Sequence, residues 1–322
     1  MTAARPRETS SPTSPSPCGE SEAAKLQQPT TEAVYQLLRR DTAGVEAYSE
    51  PVAEEVPVAM VYNGLSHVVM MASPTDLEDF ALGFSLTEGI IDSRLEFGDC
   101  EITRAGEGIE AKIEISSRAF FRLKEHRRAL QGRTGCGLCG VESLDQALRD
   151  LPQLNSELRV TPQAIHRALD ALPALQGLNR ITHALHAAAF CTPDGEIIGV
   201  REDVGRHNAF DKLIGALAKD GVETGNGFAV ITSRCSFEMA QKAISAGIPI
   251  LAAVSAPTHL AIKLAQSYDL TLLALARSDS MKLFAGARRI QPRTDGPANE
   301  IHRREAGLHG QPDRRLLQQL SA

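Results

Sequence analysis

The sequence predicts an α/β fold, and three observations carry that expectation. Strand-like and helix-like segments alternate through the second half of the chain. The strand-like runs are short, apolar and bounded by turn residues. Finally, 43% hydrophobic residues in a chain of 322 are ample for a large core. That length favours two domains, read here as a smaller α+β domain at 46–150 and an α/β domain at 151–290. Flanking them are tails at 1–45 and 291–322, read as disordered. The first is dominated by Ser, Thr, Pro, Glu and Ala; the second is Arg-, Gln-, Pro- and His-rich, with a short helix expected over Arg315–Leu320.

The first domain opens on Val58–Tyr62, an apolar run that reads as a strand. Asn63-Gly64 supplies a tight hairpin turn, and His67–Met71 is the return strand. Ser73-Pro74-Thr75-Asp76 reads as a helix cap with proline in the first turn. Leu77, Phe80, Ala81 and Phe84 then fall on one helical face. Glu88-Gly89 ends that helix, and Ile90-Ile91 is expected to be extended. Cys100–Ile102 and Ile109–Ile115 form a strand pair, and Ser117–Gln131 is a basic helix.

In the second domain, Thr161-Pro162 starts a helix that runs to Leu172. Ala184–Cys191 and Glu196–Arg201 are strands joined by the turn Thr192–Gly195. Asn208, a good N-cap, opens a helix to Ala218. Strand Phe228–Thr232, helix Ser236–Ala246, strand Ile250–Val254, helix Thr258–Gln266 and last strand Leu270–Ala276 complete the alternation. It implies helices on both faces of a sheet.

Composition excludes several functions. A net charge of −6 argues against non-specific nucleic-acid binding. The absence of Trp makes aromatic stacking an improbable basis for a ligand site. No apolar run reaches the roughly 18 residues of a membrane span, and no secretory h-region is evident. The expected location is cytoplasmic, where the six cysteines stay reduced. Cys100 and Cys191 read as small core residues.

Three segments carry chemistry. In Thr134-Gly135-Cys136-Gly137-Leu138-Cys139-Gly140, glycine flanks two thiols three residues apart, and Arg133 precedes them. A neighbouring cation raises the thiolate fraction, and glycine leaves the sulfurs uncovered. Zinc would need four ligands, and no second CxxC exists, although His183 and His186 could complete a set. A thioredoxin-like motif would open a helix after a strand, whereas this one follows a helix. A loop thiol that accepts and passes on sulfur fits better, with Cys136 holding a persulfide and Cys139 assisting or resolving it. No metal site is expected.

The second segment, Arg201–Lys212, follows a strand and leads into a helix whose first N–H groups could receive an anion. Arg206 and Lys212 could neutralise phosphates; Glu202, Asp203 or His207 could handle protons. The third is Thr232–Glu238, with Arg234 and Cys235, and Ser255-Ala256-Pro257-Thr258 repeats its arrangement after the next strand. With Arg277 past the last strand, these turns could line one crevice for a phosphate-bearing ligand.

Together, Gly132–Gly140, Arg201–Gly215 and Ser236–Ala265 closely resemble the formate dehydrogenase accessory sulfurtransferase family, the FdhD/NarQ proteins. The longest matching run reads Ser236-Phe237-Glu238-Met239-Ala240-Gln241-Lys242-Ala243, then Ala246–Pro249 and Ala253–Pro257. The resemblance implies a cytidine-deaminase-like three-layer α/β/α fold for the second domain, without deaminase activity. It implies transfer of sulfur from a cysteine desulfurase to the molybdenum cofactor, bis(molybdopterin guanine dinucleotide), that formate dehydrogenase requires. The cofactor would be a bound substrate, with no tightly held prosthetic group. Cys136 would be the persulfide carrier and Cys139 its partner. The stretch Ala276, Arg277, Ser278, Asp279, Ser280 and Met281 matches the family's cofactor-binding segment, to which Arg206, His207, Arg234 and Ser255 are added. The partners implied are a cysteine desulfurase, a formate dehydrogenase and a second copy of the chain. The competing reading is a non-catalytic chaperone that only holds the cofactor.

Overall fold

The computed structural model describes residues 28–37, 46–131, 151–277 and 279–291. Three sheets are formed. The first is a two-stranded hairpin of β1 (Thr30–Leu37) and β2 (Glu46–Ala53), paired antiparallel from Thr30↔Ala53 to Leu37↔Glu46. It corrects the expectation that the disordered tail runs to residue 45. The strand was hidden because polar and apolar residues mix on both of its faces, and no residue of it is buried.

The second sheet has the order β4-β3-β6-β5, built from β3 (Val56–Tyr62), β4 (Leu65–Ala72), β5 (Phe97–Ala105) and β6 (Gly108–Ile115). Asn63 and Gly64 both take positive φ in the β3–β4 turn, as the Asn-Gly pair requires. Strict alternation turns Val58, Met60 and Tyr62, with Ile109, Ala111, Ile113 and Ile115, to one face. Helix α1 (Leu77–Thr87) packs there through Leu77, Phe80, Ala81 and Phe84. Helix α2 (Ser117–Gln131) adds Ala119 and Leu123. Two expectations shift. Asp76, at φ 52°, is the residue that precedes α1, so Pro74 lies outside the helix. Ile90 and Ile91 form no strand; they are buried in this core, which satisfies their apolarity without a ladder.

The third sheet has the order β12-β11-β10-β9-β7-β8. Its strands are β7 (His186–Cys191), β8 (Ile197–Asp203), β9 (Phe228–Ile231), β10 (Ile250–Ala253), β11 (Thr271–Ala274) and β12 (Lys282–Ala285). β9, β10 and β11 are parallel, while β7 runs against both β8 and β9. Alternate residues enter two cores. Ala188, Phe190, Ala229, Ile231, Leu251 and Ala253 face α5 (Arg206–Lys219), α6 (Phe237–Ser245) and α7 (His259–Ser267). Ala187, Ala189, Val230 and Ala252 face α3 (Pro162–Leu175). The sheet is therefore a middle layer with helices on both faces. β12 is an addition, so β11 is not the last strand. Thr161 caps α3, accepting from the Ala164 N–H at 3.2 Å, with Pro162 as the first helical residue.

The second and third sheets meet where α1 crosses α5 backbone to backbone. A Cβ on Gly83 would stand 1.8 Å from the Asp211 carbonyl oxygen, and one on Gly215 would stand 1.8 Å from that of Asp79. Polar ties flank the crossing. Lys242 lies 2.8 Å from Asp211 and 3.1 Å from Glu88, and Thr87 Oγ1 donates to Asp211 at 2.7 Å. Arg201 pairs with Asp79 at 2.7 Å.

Candidate functional site

Because β8, β9, β10 and β11 share one direction, their carboxyl ends line one rim of the third sheet. This is the edge at which open α/β sheets bind ligands. Arg206 and His207 follow β8, Arg234 follows β9, Ser255 follows β10, and Ala276–Met281 follows β11. The structure thus gathers the described members of the expected crevice along one edge. Ser278 lies outside the described residues, as do Cys136 and Cys139.

Backbone hydrogen bonds stitch the rim together beyond the strands. Cys235 N–H donates to Ala256 O at 3.2 Å, and Thr258 N–H to Cys235 O at 2.9 Å. Leu275 N–H donates to Ser255 O at 3.1 Å, and Ala276 N–H to Ala253 O at 3.2 Å. Arg277 N–H donates to Ser280 O at 2.7 Å. On this frame Arg234 and Arg277 are exposed and Arg206 is half-buried. Arg180 and His183, both exposed, precede β7 at the same rim. Sequence reasoning missed Arg180, because only the strand order brings the start of β7 beside the end of β8.

The start of α5 adds to the positive edge. Gly205 precedes α5 and Ser236 precedes α6, and neither supplies a side-chain cap. The first-turn N–H groups of α5 are oriented for an anion, whereas the first turn of α6 carries Glu238, whose carboxylate accepts from its own N–H. Thr258 does cap α7, accepting from Ala261 N–H at 3.2 Å. Asn208 does not cap α5 as expected; the helix starts two residues earlier. Its Nδ2 donates to Asp203 Oδ1 at 3.0 Å and to Met71 O at 2.8 Å instead.

Several residues expected to act on a ligand are structural. Lys212 is fully buried, 2.6 Å from the equally buried Asp203, and donates to Ser73 O at 2.9 Å. Asp203 also accepts from the N–H groups of Ser73 and Gly205, at 3.0 and 2.7 Å. Glu202 accepts from Leu178 and Asn179 N–H, each at 2.9 Å, and so holds α4 (Asn179–Thr182). Cys235 is buried, and burial pushes its thiol up to about 12, a structural cysteine.

His207 remains as the proton-handling group of its segment. Burial, then the nearby Arg206 and Lys242 cations, hold its imidazole down at about 4, against the opposing Glu238 and Glu88. It is therefore neutral near pH 7. Burial and Arg206 also lower His186, opposed by Asp203. The rim thus sets the Arg206, Arg234 and Arg277 guanidinium groups beside the lowered imidazoles of His186 and His207, with Glu238 and Asp279 among them, and guanidinium forks suit phosphate groups.

Comparison with known proteins settles the family. The model of the FdhD/NarQ family matches residues 53–291. The chain belongs to the FdhD/NarQ family. A relative from Variovorax paradoxus, named sulfur carrier protein FdhD, is 51% identical over 233 residues, 72% of this chain and 84% of the relative. A Bordetella petrii protein of the same name is 48% identical over 256 residues, 80% of this chain and 92% of its own length. The crystal structure of a candidate formate dehydrogenase accessory protein from Desulfotalea psychrophila covers 82% of this chain and 100% of that chain, with TM-score 0.65 and 24% identity. That structure shares the fold of this FdhD/NarQ chain. Among the described residues, no helix is long and apolar enough to cross a membrane.

Proposed function

We propose that this FdhD/NarQ chain is a sulfur carrier in formate dehydrogenase maturation. A cysteine desulfurase supplies sulfur as its own persulfide. The Cys136 thiolate attacks the terminal sulfur, a new S–S bond forms on Cys136, and the desulfurase thiolate leaves. The acceptor is the molybdenum of bis(molybdopterin guanine dinucleotide), held by its phosphates at the arginine rim. Cys139 attacks the inner sulfur of Cys136, forms a disulfide with it and releases the outer sulfur, reduced, to the metal. Cellular thiols then reduce the disulfide. The chain acts in the cytoplasm as a homodimer.

The observation that carries this reading is the convergence of Arg206, Arg234 and Arg277 on one rim of a chain whose net charge is −6. The relatives' name and the intact Gly135–Gly140 motif within the family match support the thiol chemistry. The buried members of one core run from Val58 to Leu123 and those of the two others from Leu154 to Ala285, with only partly buried side chains such as Leu86 and Ala218 reaching across, which supports a domain division near 150. The layered third sheet supports a cytidine-deaminase-like second domain.

The test is intact mass spectrometry after incubation with a cysteine desulfurase and cysteine, paired with guanosine diphosphate binding. One added sulfur atom, lost on reduction and absent from Cys136→Ala, is expected. Arg234→Ala should weaken the nucleotide about tenfold or more, the worth of one charge-assisted hydrogen bond. A Cys136→Ala chain that still matures formate dehydrogenase would replace the carrier with the cofactor chaperone.

A further inference from the structure

The second sheet buries one face only. The other carries three cross-strand rows: Ser66, Val61, Lys112 and Glu101; Val69, Ala59, Glu110 and Thr103; and Met71 beside Pro57. Its β4–β3 half is apolar, with Val69 58% and Met71 49% exposed. Its β6–β5 half is acidic. A groove of about 580 Å³ joins the halves; its described lining sets Asp99, Glu101, Glu110 and Glu114 against Lys112, with the Arg127 guanidinium at its Ser66 edge. Lys112 lies 3.5 Å from Glu101 and offsets only one of the four carboxylates. Among the described residues, no three acidic, His or Cys side chains cluster closely enough to hold a metal ion. The negative charge is therefore spread along a surface, which suits a basic protein segment better than a point ion.

The groove also has a telling address. Ser66 lines it, and the Ser66 carbonyl accepts a hydrogen bond from Arg127 of α2. α2 is the helix that leads into residues 132–150, where Cys136 stands five positions past Gln131. At the other end of β4, Ser73 binds Asp203 and Val204 beside the arginine rim. The groove and the rim thus lie at opposite ends of one strand, roughly 24 Å apart at ~3.4 Å per residue.

We propose that this acidic, half-apolar face docks the protein that supplies sulfur to Cys136, through a basic segment flanked by apolar side chains. The proposal rests on the sulfur-carrier reading and adds the place where the donor sits. The donor's docking groove then lies at one end of β4 and the arginine rim at the other.

The test measures binding of the full chain to a purified cysteine desulfurase, by biolayer interferometry at low and high salt. Loading of Cys136 is followed by mass spectrometry with the desulfurase plus cysteine, and separately with inorganic polysulfide. Glu101→Lys with Glu110→Lys should weaken binding at least tenfold and slow desulfurase loading in parallel. Polysulfide loading should match the parent. Lys112→Glu should tighten binding, and salt should erase the difference. If the Lys pair alters the circular dichroism spectrum, Glu101→Gln with Glu110→Gln makes the same comparison. Parent-like affinity in the charge variants overturns the proposal, as does a parent chain that does not bind the desulfurase. A parent chain that binds through these carboxylates yet never carries sulfur on Cys136 upholds the docking face and overturns the sulfur-carrier reading.

Discussion

His207 shows how burial sets a residue's chemistry. Its folded imidazole titrates near 4, below the ordinary 6.5, because burial and two cations oppose its charged form. Between those values the unfolded chain binds the extra proton and the folded chain does not. Stability from this site is therefore full above pH 6.5 and falls as pH drops toward 4. Two-dimensional NMR should find the His207 ring neutral at pH 5.5, and His207→Gln should flatten the acid limb of a stability–pH curve. A ring titrating at its ordinary value would refute this account. The sequence marked Arg201–Lys212 as chemically dense, and the strand–helix turn was legible from its composition. Which side chains turn outward was not. Asp203 and Lys212 look as reactive on paper as Arg206 and His207, yet they are sealed against Ser73, 130 or more residues away.

At the scale of elements, the amphipathic helices and buried strands were readable because their periodicity reports one-sided burial. The glycine contact was not. Gly83 and Gly215 each sit inside a helix, where glycine costs stability with no visible return. Their purpose emerges only when α1 meets α5. Gly83→Ala should cost about 3 kcal/mol, the upper end for overpacking a tight interior, since its methyl would collide with backbone that cannot rotate away. Urea denaturation of the variant and parent measures this; a cost below ~1 kcal/mol would mean that the helices separate easily. The β1–β2 hairpin failed to register for the opposite reason: strands exposed on both faces leave no pattern.

Across the whole molecule, the polar links between the sheets matter as much as the crossing. Lys212→Met should cost about 3–5 kcal/mol, because it strands the fully buried Asp203 carboxylate without its cation. The double variant with Asp203→Asn should recover part of that loss, read by thermal and urea unfolding; no recovery would show that the pair is not coupled. The charge is also divided by place, with arginines along the rim of one sheet and carboxylates on the outer face of the other, a division that the net value of −6 conceals. The α1–α5 crossing has a consequence during synthesis. Thr87 must wait for Asp211, 124 residues later in the chain, before its bond can form. At ~5–20 residues per second, α1 leaves the ribosome roughly 6–25 s before its partner exists. Throughout that interval the nascent chain shows an unpaired glycine seam, and a chaperone able to shield it would raise the yield of folded protein.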